Sequence, residues 1–251
     1  MKTLWAAATA LVVFAVAGNA FAQSTTPTPY MPGPWDGFYV GANAGYDWGH
    51  DEVGMRSTPN NNNVAVAGRG LLTGDGPIGG GQIGFNHELP GLYPPVVNGL
   101  VGLEADFDYT GLSDSRSAHF GNISVFEKFA ADWLTTARVR VGATFWEQVL
   151  LYGTGGLAVA DVDFSSAESG GDPFYRGNGS GNGPRLGWVG GGGVEWMFLP
   201  GWSVKAEFLY VDLGTANFTN GTTSPTITVR TRNHLTENIG RVGINYKFWS
   251  F

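Results

Sequence analysis

The spacings most suggestive of chemistry in this 251-residue chain are two glycine-rich runs. Gly79-Gly-Gly-Gln-Ile-Gly84 matches Gly-x-Gly-x-x-Gly, and Gly153-Thr-Gly-Gly-Leu-Ala158 matches its Gly/Ala variant. That fingerprint cradles a pyrophosphate only where a strand precedes it and a helix follows, so that backbone N–H groups point at the phosphates. Neither run has that context, and both read as parts of extended segments. Four histidines, His50, His87, His119 and His234, are the second possibility. His50, His119 and His234 fall in or beside expected loops, with Tyr109 near, and such side chains would hold a haem iron or another metal if they converged. Being widely spaced, they read first as solvated loop residues, and no cofactor is expected. No Gly-x-Ser-x-Gly or His-Glu-x-x-His occurs and no Ser–His–acid set stands out, so the chain reads as a non-enzyme. The absence of cysteine excludes disulfides and thiolate metal sites. The third constellation is ionic. Glu104, Asp106, Arg138, Arg140, Glu195, Lys205, Glu207 and Arg241 share one face with small and polar residues, opposite an apolar face. Charges so placed either line water or pair with one another.

The elements that carry them repeat every second residue. From Trp35 onward Phe38, Val40, Ala42, Ala44, Tyr46 and Trp48 alternate with small and polar residues. A second strand, about Gly80–Leu89, sets Ile83 and Phe85 against Gln82, Asn86 and Glu88. In the third, Val97 to Tyr109, the odd positions are apolar and Glu104, Asp106 and Asp108 lie opposite. The fourth sets Trp133, Val139, Val141 and Phe145 against Asp132, Arg138 and Arg140. The fifth, Val149–Phe164, is rich in glycine, and Asp161 and Asp163 suggest that its even positions face apolar surroundings. The sixth, Arg185–Phe198, sets Leu186, Trp188, Val194 and Trp196 against Arg185 and Glu195. The seventh, Ser203–Leu213, sets Val204, Ala206, Phe208 and Tyr210 against Lys205 and Glu207, and the eighth sets Val242, Ile244, Tyr246 and Phe248 against Arg241, Asn245 and Lys247.

The connections alternate in length. Long polar ones are expected at about 49–79, 110–131, 165–184 and 214–232, and short ones at 90–96, 146–148 and 199–202. A transmembrane barrel places short turns at one membrane face and long loops at the other. The expected fold is therefore all-β, an eight-stranded antiparallel up-and-down transmembrane β-barrel. In such a barrel the apolar face meets lipid and the polar face is enclosed, the reverse of a soluble barrel. Glycine supports the inversion. Gly41, Gly45, Gly84, Gly102, Gly187, Gly193 and others share the charged face, and an eight-stranded lumen is only just wide enough for its side chains. Aromatic residues gather at both strand ends, as interfacial girdles do: Trp35, Phe38, Trp146, Trp196, Trp202 and Phe248 at one, Tyr46, Trp48, Tyr109, Trp133, Trp188 and Tyr210 at the other. The eight charged residues are expected to form an ion-pair network inside, with Glu104 and Asp106 opposing Arg138 and Arg140. The alternative is a set of charges lining a wet channel.

Residues 1–22 read as a secretory signal peptide: Lys2, an apolar run from Leu4 to Ala17, and Ala20-Phe21-Ala22 as cleavage site. Residues 23–34 carry four prolines and read as an extended periplasmic lead-in, with the barrel over 35–251. Forty glycines without a Gly-X-Y period exclude collagen, and 14% aromatic residues exclude disorder. A net charge of −7 excludes a nucleic-acid backbone binder.

Several blocks together resemble a family. Trp35-Asp-Gly-Phe-Tyr-Val-Gly-Ala-Asn-Ala-Gly-Tyr46, Gly80-Gly-Gln-Ile-Gly-Phe-Asn86, Gly102-Leu-Glu-Ala-Asp106, Gly187-Trp-Val-Gly-Gly-Gly-Gly-Val-Glu195, Lys205-Ala-Glu-Phe-Leu-Tyr-Val-Asp-Leu213 and Arg241-Val-Gly-Ile-Asn-Tyr-Lys-Phe248 resemble the small outer-membrane β-barrel proteins of alphaproteobacteria. These are described as immunogenic or porin-family proteins. The resemblance implies an OmpA-like barrel in the cell outer membrane, with outer-membrane lipid and the barrel-assembly machinery as partners. It also implies a barrel-assembly signal at Tyr246 and Phe248; here Trp249, Ser250 and Phe251 follow, and the aromatic Phe251, with Trp249 two residues before it, is the alternative end of that signal. A structural envelope role with surface-exposed loops is the expected function. A low-conductance porin, or a receptor or adhesin binding extracellular ligands such as haem at its loops, are the alternatives.

Overall fold

The computed structural model describes residues 32–59, 66–93, 97–120, 123–170, 175–222 and 227–249. The expected signal peptide, residues 23–31 of the lead-in, and Phe251 lie outside them. Nine strands follow in order: β1 (Gly37–Pro59), β2 (Val66–Tyr93), β3 (Val97–Thr110), β4 (Ser113–Phe120), β5 (Ile123–Phe145), β6 (Val149–Gly170), β7 (Tyr175–Leu199), β8 (Trp202–Thr222) and β9 (Ile227–Trp249). They make eight staves. β3 and β4 both lie between β2 and β5 and are one stave interrupted at Gly111 and Leu112. Every neighbouring pair is antiparallel, and β1 pairs with both β2 and β9, so the sheet closes on itself. The eight-stranded up-and-down barrel is therefore the fold, and among the described residues there is no helix.

The side-chain alternation holds through the lower two-thirds of the wall. Phe38, Val40, Leu103, Val139, Val141, Phe208, Val242 and Ile244 face outward and are exposed, while Tyr39, Glu104, Arg138, Arg140, Lys205 and Arg241 face inward and are buried. Ten residue steps separate Phe38 from Trp48 on β1. At about 3.3 Å per residue and a tilt near 40°, they span about 25 Å, the height of an outer-membrane hydrocarbon band. Aromatic residues mark both ends of that band. Trp202 packs on Tyr246 at the short-turn end, and Phe107 stacks with Trp133 at the other. Both Gly79–Gly84 and Gly153–Ala158 lie inside strands, β2 and β6, with no helix after them.

The structure departs from the sequence reading at several places. The segments expected as long loops are mostly paired strand. β1 and β2 stay in register as far as Ser57 and Val66, β4 and β5 to Phe120 and Ile123, and β6 and β7 to Gly170 and Tyr175, while β8 and β9, past one shift between Asp212 and Thr215, pair to Asn220 and Val229. Above the lipid a hairpin needs cross-strand hydrogen bonds but no apolar face, so alternation was the wrong signal there. A register irregularity between Ala131 and Trp133 turns Asp132 to the exposed surface, off the Arg138 face. The even positions of β6 do face apolar surroundings, but inside: Ala158, Ala160 and Val162 are buried in the lumen, while Leu151 and Leu157 are exposed outside. Trp35 does not join the girdle. It is 3% exposed and packs inside the barrel mouth against Leu100, Leu150 and Tyr152.

A charge on the lipid face near mid-band should be costly. Val139→Arg is expected to destabilise the barrel by about 2–4 kcal/mol, measured by denaturant unfolding in lipid vesicles. An equally large loss for Phe126→Arg, on the polar extension, would contradict the assigned band.

Candidate functional site

The enclosed face is layered, and the layering can be followed along single strands. On β8 the inward row reads Ser203, Lys205, Glu207, Leu209, Val211, Leu213: polar, ionic, then apolar. β9 reads the same way upward from Asn245 through Arg241 to Ile239, whereas β3 starts on apolar Leu100 and then runs ionic through Glu104, Asp106 and Asp108.

At the short-turn end the chain folds across the mouth before β1 begins. The Trp35 indole donates to the Glu147 carbonyl at 3.2 Å. The Asp36 carboxylate accepts from the backbone N–H groups of Gly33 and Glu88 at 2.6 and 2.8 Å and lies 3.1 Å from His87 Nδ1. Lys247 Nζ donates to the Pro34 carbonyl at 2.6 Å. Above Trp35, Asn245 and Ser203 both donate to Glu195.

The ionic layer comes next and brings together all eight charged residues singled out from the sequence. Arg138 donates to Glu104, to Asp106 at 2.7 Å and to Glu207 at 2.9 Å. Arg140 reaches Glu195 at 2.6 Å and Glu104 at 3.4 Å. Lys205 donates to Glu104 at 2.9 Å, and Arg241 spans Asp106, Asp108 and Glu207 at 2.6–2.9 Å. These side chains are almost wholly removed from solvent. Three participants were not singled out beforehand. Tyr39 accepts from Arg140 at 2.7 Å and donates to Glu104 at 2.6 Å, Tyr152 donates to Glu207 and lies under the Arg140 guanidinium at 4.0 Å, and Asp108 closes the Arg241 fork. Tyr39 and Asp108 had shown their polar-face parity in the sequence; Tyr152 lay on a strand whose glycines hid the register. The inward glycines make room for these rings. A Cβ on Gly84 would stand 2.3 Å from the Tyr39 ring, and one on Gly193 2.7 Å from the Tyr152 hydroxyl.

Above the ions the lumen is lined mainly by apolar side chains, Ile78, Leu112, Leu134, Val211, Leu235 and Ile239 among others, with Asp47 and Glu237 between them. The histidine candidates are elsewhere and do not converge with Tyr109. His50 and His234 face outward on neighbouring strands β1 and β9; His234 meets Thr215 at 3.1 Å and Asp212 at 3.7 Å. Tyr109 is on β3, its ring edge-on to Phe107 in the outer girdle. The His119 side chain lies outside the described residues. Among the described residues no group of three or more His, Cys, Asp or Glu is placed to hold a metal ion. Tyr246 and Phe248 lie outward on β9, which ends at Trp249.

Glu104 is the carboxylate on which three cations and a phenol converge. Glu104→Gln is expected to cost about 3–5 kcal/mol, because it leaves buried positive charge uncompensated. Denaturant unfolding of the refolded barrel measures this, and a loss below about 1 kcal/mol would mean that the layer is wet.

The family model and the sequence relatives agree with this architecture. The family model described as "Outer membrane protein beta-barrel domain" matches residues 6–248. The 31 kDa outer-membrane immunogenic proteins of Brucella melitensis biotype 1 and Brucella suis biovar 1 are each 33% identical over 227 residues, covering 90% of this chain and 89% of theirs. The crystal structure of Neisserial surface protein A aligns with 85% of this chain and 98% of its own, at 13% identity and a TM-score of 0.37. An enclosed ionic face, a lipid-sized apolar band and a match along nearly the whole sequence lead to one assignment: the chain belongs to the family of outer-membrane β-barrel proteins and resides in the outer membrane.

Proposed function

We propose that this barrel is a structural, non-conducting component of the outer membrane that displays its long hairpins at the cell surface and does no catalysis. The observation that carries the reading is the dry ionic layer. Arg138, Arg140, Lys205 and Arg241 meet five carboxylates across the full width of the lumen. Trp35 lies below and the apolar layer above, so a solute entering from either side meets packed side chains. In this reading the short turns face the periplasm, and the hairpins that continue beyond Trp48, Tyr109 and Trp188 face outward. The relatives are named immunogenic, which fits hairpins that stand clear of the lipid. Outer-membrane lipid is the partner of the apolar band, and the outward Tyr246 and Phe248 near the end of β9 are the residues offered to the assembly machinery.

Planar-bilayer recording and liposome swelling with solutes of graded size test the reading. The wild-type barrel is expected to give no steady conductance and no swelling. An Arg138→Ala/Arg140→Ala variant that still folds is expected to show transient openings. A large, steady wild-type conductance would establish the porin alternative instead.

A further inference from the structure

Above the ionic layer two carboxyl groups stand without a counter-charge among the described residues. Asp47 on β1 and Glu237 on β9 point inward, are 0% and 1% exposed, and none of their four carboxyl oxygens has a hydrogen-bond partner. The strands pair Asp47 with Ile239 and Gly49 with Glu237. The two acids are thus diagonal neighbours on hydrogen-bonded strands, about 7–8 Å apart at the backbone and within reach of each other at the side chains. Gly49, beside them on β1, puts no side chain in the way. The wall at this height is leaving the lipid, since the outward neighbours of Glu237 are the polar Thr236 and Asn238.

Among the described residues, the groups packed around the pair offer it no counter-charge. β2 contributes Gly76 and Ile78, β8 contributes Leu209 and Val211, and Leu112 covers Gly49 from the break between β3 and β4. Among the described residues, the charged groups facing this space are Arg241 on β9 and Asp108 on β3, one layer below, and they are engaged with each other and with Asp106 and Glu207. Two carboxylates side by side among buried apolar side chains, with no cationic side chain of the described residues left to pair with them, cannot both stay ionised. A metal ion would need more oxygen or nitrogen ligands. Among the described residues no third His, Cys, Asp or Glu joins the two, and the leucine and valine walls supply none.

We propose that Asp47 and Glu237 form a proton-binding site, a carboxyl pair that shares a proton through an O–H···O hydrogen bond inside the outer seal. The proton enters from solvent as the barrel closes and returns to solvent when the barrel opens. The inference concerns the outer layer alone and holds whether or not the barrel passes solutes.

The folded barrel then binds a proton that the unfolded chain releases above about pH 4. Stability must therefore fall as pH rises beyond that point, until the folded pair itself ionises. Amides cannot ionise, so an Asp47→Asn/Glu237→Gln variant lacks this fall. The test is thermal unfolding of the full-length refolded protein in zwitterionic detergent between pH 4 and 9, with infrared difference spectra at neutral pH. The double variant is expected to melt higher than wild type at pH 8, with the gap closing towards pH 4. Wild type alone should show the C=O band of a protonated carboxyl group. Should the double variant fail to fold, either single variant, which keeps one carboxyl, serves for the same comparison and should show a smaller fall. Parallel pH profiles with no such band would overturn the proposal. So would a wild-type melting point raised by Ca²⁺ or Mg²⁺ and restored by a chelator while the variant stays insensitive, since that would make the pair a metal site.

Discussion

A β-strand in hydrocarbon can satisfy its backbone N–H and C=O groups only on another strand, because no water is present to take their place. For this chain the consequence is that β1, once paired with β2, must also pair with β9, and after one irregularity at Phe38 the ladder runs unbroken from Tyr39 to Pro59 against the final strand. Closure sets everything else. Eight tilted staves leave a lumen that side chains fill, and alternation sends every second residue into it. Whatever faces the lipid must be apolar, so the charges have only the inside to occupy.

Inside, the narrowness that forces the charges together also makes them tolerable. An isolated guanidinium in such a space would cost several kcal/mol, but each of the four cations here meets at least two carboxylates. Tyr39 and Tyr152 fill the space between them with rings whose hydroxyl groups add hydrogen bonds to Glu104, Arg140 and Glu207. Such a layer fits only if its neighbours are small. That accounts for glycine on the inward face of β2 and β7 opposite those rings, where a methyl group would overlap them.

How much of this could be read from residues alone depends on what each pattern reports. Alternation of apolar and polar residues reports contact with lipid on one side and enclosure on the other. It therefore placed Arg138, Arg140, Glu104 and Arg241 on the correct face, together with the short turns at 146–148 and 199–202. It does not report strand pairing in water. Ile227 to Arg232, where Thr228, Val229 and Thr231 carry high β-propensity, pairs with β1 although no face of it is apolar enough to enter lipid. Nor does alternation separate lipid from a greasy interior. Leu209-Tyr210-Val211 is apolar on both faces because one meets the membrane and the other the apolar layer of the lumen. The continuous apolar run was the visible sign of that second surface. Asp132 was misplaced for a different reason: a single irregularity in a ladder reverses the parity of everything beyond it, and no residue type announces it.

The order of the layers has its own logic. Ion pairs strengthen as the surrounding dielectric falls, so an ionic layer at the open mouth of the barrel would be the weakest arrangement of the same residues. Here it is closed above by leucine, isoleucine and valine and below by Trp35. The lower closure depends on a turn that no sequence rule favours. Trp146 and Glu147 hold φ values of 49° and 61°, a left-handed pair usually left to Asn-Gly, at a cost on the order of 1–3 kcal/mol each. An Asn-Gly turn would be less strained, but it would remove the Trp146 side chain that stands exposed among the aromatic residues of the short-turn end. The Glu147 carbonyl is the group that receives the Trp35 indole. The strain thus sits where one residue contributes to the interfacial girdle and the next fastens the plug that keeps the ions dry.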